Sequence, residues 1–111
     1  MNEFKDILKY LRRREGISQA ELALRLGLSP SAIGNYESGT RKPTRDVEEA
    51  LADYFNVSID LLRGKDTEGR NISDEEYEII LAFRRADDID KTIVRRTLGI
   101  KEKKGADVRA V

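Results

Sequence analysis

Signals that start and stop helices follow one another at short intervals through the first 64 residues, and this spacing constrains the fold most strongly. Serine or threonine at helix-start positions alternates with glycine at helix-stop positions. The stop signals are Gly16, Gly27, Gly39 and Gly64. Between them, apolar residues recur at the spacing of amphipathic helices, and we find no segment typical of a strand. The sequence therefore predicts an all-α protein that begins with five short helices.

Each of these helices is predicted to bury one apolar face. In chain order, the faces consist of Phe4, Ile7, Leu8 and Leu11; Leu22, Ala23 and Leu26; Ile33 and Tyr36; Val47, Ala50, Leu51, Tyr54 and Phe55; and Ile59, Leu61 and Leu62. Ser18 begins the second helix with a capping box, and Ser29 and Pro30 are predicted to begin the third. Only two or three residues separate these two helices, which is the pattern of a helix-turn-helix.

The composition argues against several classes of function. The 111 residues include no histidine and no cysteine, which excludes disulfides, thiolate or imidazole zinc sites and histidine-based catalysis. With 21 acidic residues, pairs such as Asp87–Asp88 are expected by chance and indicate solvated helix faces or helix caps. We therefore expect no enzyme activity, no metal and no cofactor. No apolar run approaches the roughly 18 residues of a membrane span, and the N-terminus has no signal-peptide pattern, so we expect a cytoplasmic protein without a membrane partner.

The stretch from Ser18 to Thr44, SQAELALRLGLSPSAIGNYESGTRKPT, resembles the Cro/C1-type (XRE family) helix-turn-helix of phage repressors and bacterial regulators. The matching positions are Ser18, Gln19, Leu22, Ala23, Gly27, Ser29, Ile33, Tyr36, Glu37, Gly39, Arg41 and Pro43. The resemblance covers residues 4–63 and implies a five-helix, lambda-repressor-like DNA-binding domain over residues 1–64. It also implies that Arg12 pairs with Glu37 and locks the third helix against the first.

The third helix is the expected reader of DNA bases, because a short helix fits the major groove of a duplex. If Ile33, Tyr36 and Glu37 point inward, the opposite arc carries short, uncharged residues. These predicted base-reading residues are Pro30, Ser31, Gly34 and Asn35. Asn35 can bond bidentately to an adenine edge. Gly34 lets the helix backbone approach the groove closely, or it avoids a clash with the second helix.

Phosphate contacts are expected to supply most of the affinity for DNA. The predicted phosphate-binding residues are Gln19, Ser29, Arg41, Lys42 and Arg45. The family uses the glutamine in this way, whereas the alternative for it is capping or surface polarity. For the three cations, the alternative is an ordinary solvated loop. Arg13 and Arg14 are instead expected on a solvated face, and the alternative for them is an extension toward phosphate. The chain has a net charge of 0 from 21 basic and 21 acidic residues, so DNA binding would depend on local positive charge.

Beyond residue 64, the sequence predicts a linker over residues 65–72, a helical hairpin over residues 73–100 and a flexible tail over residues 101–111. The hairpin is predicted to hold two copies together, because one helix reads too few base pairs for a useful operator. The predicted dimerisation residues are Tyr77, Ile80, Leu81, Ile89, Ile93, Val94 and Leu98. Alternatively, the hairpin folds back onto residues 1–64, or it docks a protein antagonist as in an antitoxin.

Together these features predict a sequence-specific, DNA-binding transcriptional regulator. We expect a repressor that binds a near-palindromic operator of double-stranded DNA as a homodimer. The alternative is a protein-interaction module or an antitoxin-type partner whose DNA binding is weak, and the zero net charge keeps that alternative open.

Overall fold

The computed structural model describes residues 3–101, and within that range the fold consists of seven α-helices and no strand, apart from one isolated bridge. The helices are α1 (Phe4–Arg14), α2 (Gln19–Arg25), α3 (Ala32–Ser38), α4 (Arg45–Phe55), α5 (Ile59–Leu62), α6 (Asp74–Arg85) and α7 (Asp88–Leu98). The chain divides into two compact units after Asp74. The first unit contains α1 to α5, and the second contains α6 and α7. The predicted all-α class is confirmed.

The helix ends follow the local signals in the sequence. The hydroxyl groups of Ser18 and Ser58 each accept a hydrogen bond from the backbone N–H three residues later, at 3.0 Å. The hydroxyl of Thr44 does the same at the start of α4, at 3.3 Å. At the end of α3, Gly39 adopts a φ of +82°, which is readily accessible only to glycine. These contacts satisfy backbone groups that a short helix would otherwise leave without partners.

The start of α3 differs from the prediction. The sequence placed it near Ser29, but the helix begins at Ala32. The backbone carbonyl of Ser29 accepts a hydrogen bond from the N–H of Ala32 at 3.0 Å, so residues 29–32 form a tight turn before the helix. Pro30 has no N–H to contribute, and Ser31 makes no side-chain cap. A turn with i→i+3 bonds therefore replaces the first α-helical turn.

The core of the first unit is aliphatic, with one tyrosine. α1 packs against α3 and α5, α2 packs against α3, and α4 packs against α5. The buried apolar residues of this unit are Ile7, Leu8, Leu11, Ile17, Leu22, Ala23, Ala32, Ile33, Tyr36, Leu51, Ala52, Val57, Leu61, Leu62 and Ile72. They fix the relative positions of α2 and α3, the pair expected to meet DNA.

The buried face of α4 is narrower than the prediction. Leu51 is buried as expected, but Val47, Ala50, Tyr54 and Phe55 are only half-buried. Glu48 is buried instead, because Arg63 donates two hydrogen bonds to its carboxylate at 2.7 and 2.8 Å. The hydrogen bonds from Arg63 hold the pKa of Glu48 below its ordinary value.

The segment predicted as a linker, residues 65–72, forms a hydrogen-bonded turn. Asp66 Oδ1 accepts the N–H groups of Arg70 and Glu68 at 2.9 and 2.8 Å. The hydrogen bond from the backbone N–H of Arg70, together with that from Glu68, lowers the pKa of Asp66. Ile72 then enters the core with an exposure of only 6%. The polar stretch is thus tied at both ends to the first unit.

The second unit is a pair of helices joined by a short turn. Asp87 caps α7 by accepting the N–H of Asp90 at 2.8 Å. Phe83 of α6 lies beneath the cationic groups of Lys91 and Arg95, at 5.6 and 5.5 Å from its ring centre. These contacts define the side of α7 that faces α6. Of the predicted tail, residues 102–111 lie outside the described residues.

Candidate DNA-binding surface

α3 presents two chemically distinct sides. Ile33, Tyr36 and Glu37 are buried, as the helical spacing requires. On the other side, the residues predicted to read bases remain accessible. Pro30 and Ser31 are exposed, and Gly34 and Asn35 are half-buried. All four predicted base-reading residues are therefore at least partly exposed to solvent.

An ion pair fixes α3 against α1. Arg12 Nε and Nη2 donate to the two carboxylate oxygens of Glu37 at 2.6 and 2.9 Å, and Nη1 donates to the carbonyl of Ile17 at 2.9 Å. The side chains of Arg12 and Glu37 are only 11% and 1% exposed. The hydrogen bonds to Glu37 raise the pKa of Arg12. The pair expected from the family resemblance is thus present, with bidentate geometry that fixes orientation as well as distance.

Glu37 also positions Gln19. Gln19 Nε2 donates to Glu37 Oε1 at 2.9 Å, and the side of the amide that carries the oxygen lies over Gly34. Because a carboxylate can only accept, the amide nitrogen must face it. One of the two Nε2 protons is used in this bond, and Gln19 is otherwise exposed. The second Nε2 proton remains a donor for an incoming oxygen.

The same arrangement gives Gly34 a packing role. A β-carbon added at residue 34 would lie 3.1 Å from Gln19 Oε1, closer than ordinary van der Waals contact. The glycine therefore makes room for the Gln19 amide between α2 and α3. This geometry favours the second explanation raised by the sequence, that Gly34 avoids a clash with the second helix.

The predicted phosphate-binding cations lie at and beyond the C-terminal end of α3. Arg41 and Lys42 are exposed, and the backbone N–H of Arg41 donates to the carbonyl of Asn35 at 3.2 Å. This bond ties the cationic loop to the helix. Arg45 Nε lies 3.3 Å from Glu49 Oε2 in an exposed ion pair, and Ser29 is exposed in the turn before α3. The cations and Ser29 thus flank the accessible arc of α3.

Lys5 belongs with these cations, although the sequence did not indicate it. A β-carbon added at Gly39 would lie 3.3 Å from the Cδ of Lys5, so the lysine side chain passes close to the end of α3. Lys5, Arg41 and Lys42 line one open groove, which the acidic residues Glu3 and Glu48 also line. The only signal in the sequence is a lysine between apolar positions of α1, which is common on solvated helix faces.

The predicted dimerisation residues do not form one accessible surface. Tyr77 and Leu81 are buried in the single chain, so a partner cannot reach them without a rearrangement. Ile80 and Val94 are half-buried. The exposed members of the predicted set are Ile89, Ile93 and Leu98, all on α7.

A membrane-spanning helix and a metal-binding group of side chains are both absent from the described part of the chain. Among residues 3–101, no helix is long and apolar enough to cross a membrane. Nor does any group of acidic side chains in that range have an arrangement that could hold a metal ion.

Comparison with known proteins agrees with this geometry. Residues 8–62 match the helix-turn-helix family HTH_3. The chain is 39% identical over 59 residues to the HTH-type transcriptional regulator ImmR of Bacillus subtilis, covering 53% of this chain and 46% of ImmR. It is 30% identical over 89 residues to the cryptic phage CTXphi transcriptional repressor RstR of Vibrio cholerae, covering 80% and 75% of the two chains.

Two further matches extend beyond the helix-turn-helix. Antitoxin PezA of Streptococcus pneumoniae is 24% identical over 101 residues, covering 91% of this chain and 63% of PezA. A transcriptional regulator from Listeria innocua shares the fold with a TM-score of 0.55 and 24% identity, over 87% of this chain and 90% of that one.

Coverage differs among the relatives. The chain spans about half the length of ImmR and of YobD, an uncharacterised regulator of the same bacterium, but three quarters of RstR. ImmR, YobD and RstR are all named as regulators or repressors of transcription. With its matching motif, fold and relatives, the chain belongs to the XRE, or Cro/C1-type, helix-turn-helix family of DNA-binding transcriptional regulators.

Proposed function

We propose that this protein is a cytoplasmic transcriptional repressor that binds a near-palindromic operator as a homodimer. In this proposal, residues 1–64 bind DNA and residues 73–100 join the two copies. The observation that carries it is the accessible, uncharged arc of α3, which is flanked by exposed cations on a rigid aliphatic core. This combination suits a groove reader, because polar groups can hydrogen-bond to base edges and cations can bind the flanking phosphates.

Base recognition is assigned to the N-terminal part of α3 and the turn before it. α3 has seven residues and is therefore about 10 Å long, which fits the major groove. Ser31 and Asn35 supply hydrogen-bonding groups, and the amide of Asn35 can pair with an adenine edge. Pro30 adds no hydrogen-bond donor to this surface, and Gly34 makes room for the Gln19 amide, which lies over it beside the bases.

Phosphate binding is assigned to Gln19, Ser29, Arg41, Lys42 and Arg45. Gln19 would donate the Nε2 proton that Glu37 does not use, and the bond to Glu37 holds the amide in place before DNA arrives. Arg41 and Lys42 follow α3 directly and would contact the backbone beside the groove that α3 enters. Such contacts release counterions, so the affinity should fall steeply as salt rises.

Repression and dimerisation rest on different support. The relative that is named a repressor, RstR, matches 80% of this chain, including part of the C-terminal segment. Two copies related by a two-fold axis would place two α3 helices in half-sites about 34 Å apart, which explains a near-palindromic site. The exposed isoleucines of α7 offer an apolar surface for the second copy.

A gel shift with DNA fragments from the promoter of the gene that encodes this protein, repeated at increasing salt concentration, tests the proposal. The wild-type protein should give a specific shift whose affinity falls steeply with salt. Asn35→Ala should weaken binding to the cognate site by about 1–3 kcal/mol and leave binding to random DNA nearly unchanged. Arg41→Ala is the matched variant for a phosphate contact. It should weaken binding to both kinds of DNA and reduce the slope of log affinity against log salt concentration by about 1. Equal weakening of both DNAs by Asn35→Ala would remove it from the base-reading set.

An antitoxin-type role is the second candidate. PezA, which is named an antitoxin, matches 91% of this chain, and the exposed apolar residues of α7 would suit a protein partner as well as a second copy. In this case the specific gel shift would be weak at every salt concentration. A strong shift by the protein alone would instead favour the repressor.

A further inference from the structure

One stripe of α7 is exposed and partly apolar. Ile89, Thr92, Ile93 and Arg96 follow the i, i+3, i+4, i+7 spacing that places residues on one helix face. With Asp88 they line a shallow groove. Ile89 and Ile93 are 71% and 54% exposed, although the opposite side of α7 packs on Phe83. Two exposed isoleucines one turn apart therefore give this stripe an apolar centre.

The ends of this stripe carry opposite charges. Asp88 lies in the first turn of α7 and Arg96 in the last, eight residues or about 12 Å apart along the axis. Thr92 lies midway between them, and its hydroxyl donates to the carbonyl of Asp88 at 2.8 Å. Because the hydroxyl is already bonded within the helix, Thr92 adds its methyl group to the stripe without needing a partner.

From this pattern we infer that two copies of the protein pair through antiparallel α7 helices that cross near Thr92. A two-fold axis at residue 92 places Asp88 opposite Arg96 of the partner subunit, and the reverse, while Ile89 and Ile93 pack at the centre. The interface is isologous, since the same stripe supplies both sides. The inference rests on the proposed homodimer and specifies where and in which direction the copies meet.

The charges at the two ends of the stripe favour a second copy of the chain as the partner, and they favour the antiparallel direction. A parallel pair would place acid against acid and arginine against arginine, and like charges in register are unfavourable. The antiparallel pair converts both contacts into attractions, and it also opposes the helix dipoles favourably. A foreign helix would need the reverse charge order on a matching stripe, whereas a second copy provides that order by symmetry.

Charge reversal tests the arrangement in the full-length protein by sedimentation equilibrium. Asp88→Arg alone would create two arginine–arginine contacts, and Arg96→Asp alone would create two acid–acid contacts. Each variant should dimerise about tenfold more weakly than wild type. An equimolar mixture of the two should recover near wild-type association, because both contacts are attractive in the mixed dimer. The doubly reversed variant should also recover.

Helix stability cannot produce this recovery. The doubly reversed variant puts a cation at the N-terminus and an anion at the C-terminus of α7, both unfavourable for the helix dipole. If the single variants dimerise as well as wild type, or if the mixture does not recover, the antiparallel α7 pairing is wrong while a homodimer through another surface still stands. If wild type itself is a monomer even when bound to its operator, the proposed homodimer and this pairing both fail.

Discussion

The two units of this protein use their apolar residues in opposite ways. Among the described residues of the first unit, Leu24 alone of the large apolar side chains is at least half exposed, and the accessible arc of α3 is polar. The second unit leaves Ile79, Ile89, Ile93, Leu98 and Ile100 at least half exposed. A surface that recognises bases needs a fixed scaffold beneath it, whereas a surface that associates needs apolar groups still in contact with water. The comparison suggests that DNA recognition and self-association reside in separate parts of the chain.

The largest expected effect concerns the scaffold beneath α3. Arg12→Ala should reduce the free energy of unfolding by about 3–5 kcal/mol, because it leaves the Glu37 carboxylate buried without its cation. Urea unfolding measures the change. The neighbouring Arg13 is exposed, so Arg13→Ala serves as the control and should stay within about 0.5 kcal/mol of wild type. Equal small effects of both substitutions would mean that the ion pair does not hold the scaffold.

A matched pair of apolar substitutions compares the units directly. Leu51→Ala should cost about 2–5 kcal/mol of stability, since the side chain is fully buried. Ile93→Ala should change the stability of dilute protein by less than about 0.5 kcal/mol, but should weaken association at higher concentration. Thermal unfolding at two protein concentrations measures both quantities. A large loss of stability from Ile93→Ala in dilute protein would show that α7 is part of a core.

A double-mutant cycle decides why residue 34 is glycine. Gly34→Ala should weaken operator binding by about 1 kcal/mol, because the new methyl group displaces the Gln19 amide from its position beside Glu37. In a Gln19→Ala background, the same substitution should have almost no further effect. Fluorescence anisotropy with a labelled operator measures the four affinities. A loss that persists without the glutamine would mean that the glycine serves close approach to DNA.

The smallest effect is on acid stability. Arg63 holds the pKa of Glu48 below its ordinary value of 4.5. A lowered carboxylate pKa contributes stability above that ordinary value and loses it as the pH falls through the folded-state pKa. Glu48→Gln should therefore lower stability at neutral pH by about 0.2–1 kcal/mol, given the exposure of Arg63, and should flatten the decline below pH 4.5. Urea titrations at several pH values would detect this, and an unchanged acid slope would contradict it.

Features set by neighbouring residues were predictable from the sequence, and features set by distant ones were not. Caps and glycine stops located most helix ends, because those signals act within one turn. The burial of Glu48 depends on an arginine fifteen residues later, and no periodicity indicates that pairing. Similarly, the position of the Gln19 amide over Gly34 depends on how α2 packs against α3.

The C-terminal helices illustrate the same limit. Their apolar stripes were evident, but the side of α7 that faces α6 is set by the contacts of Lys91 and Arg95 with Phe83. Those contacts pair cations with an aromatic ring, whereas a hydrophobicity pattern assigns cations to solvent. Ile89 and Ile93 were within the predicted dimerisation set, but the fold was needed to show that they stay exposed while Tyr77 and Leu81 are buried.

A titration of isotopically labelled protein with its operator, followed by amide NMR shifts, tests the separation of the two surfaces most directly. Operator added at constant protein concentration should perturb the amides of residues 29–42, with the largest shifts around Ser31 and Asn35. Dilution without DNA should instead perturb the amides of residues 88–96. If the operator leaves residues 29–42 unchanged, DNA recognition does not reside on the α3 surface. If it shifts the amides of α7 at a concentration where the protein is already fully dimeric, the two surfaces are not separate.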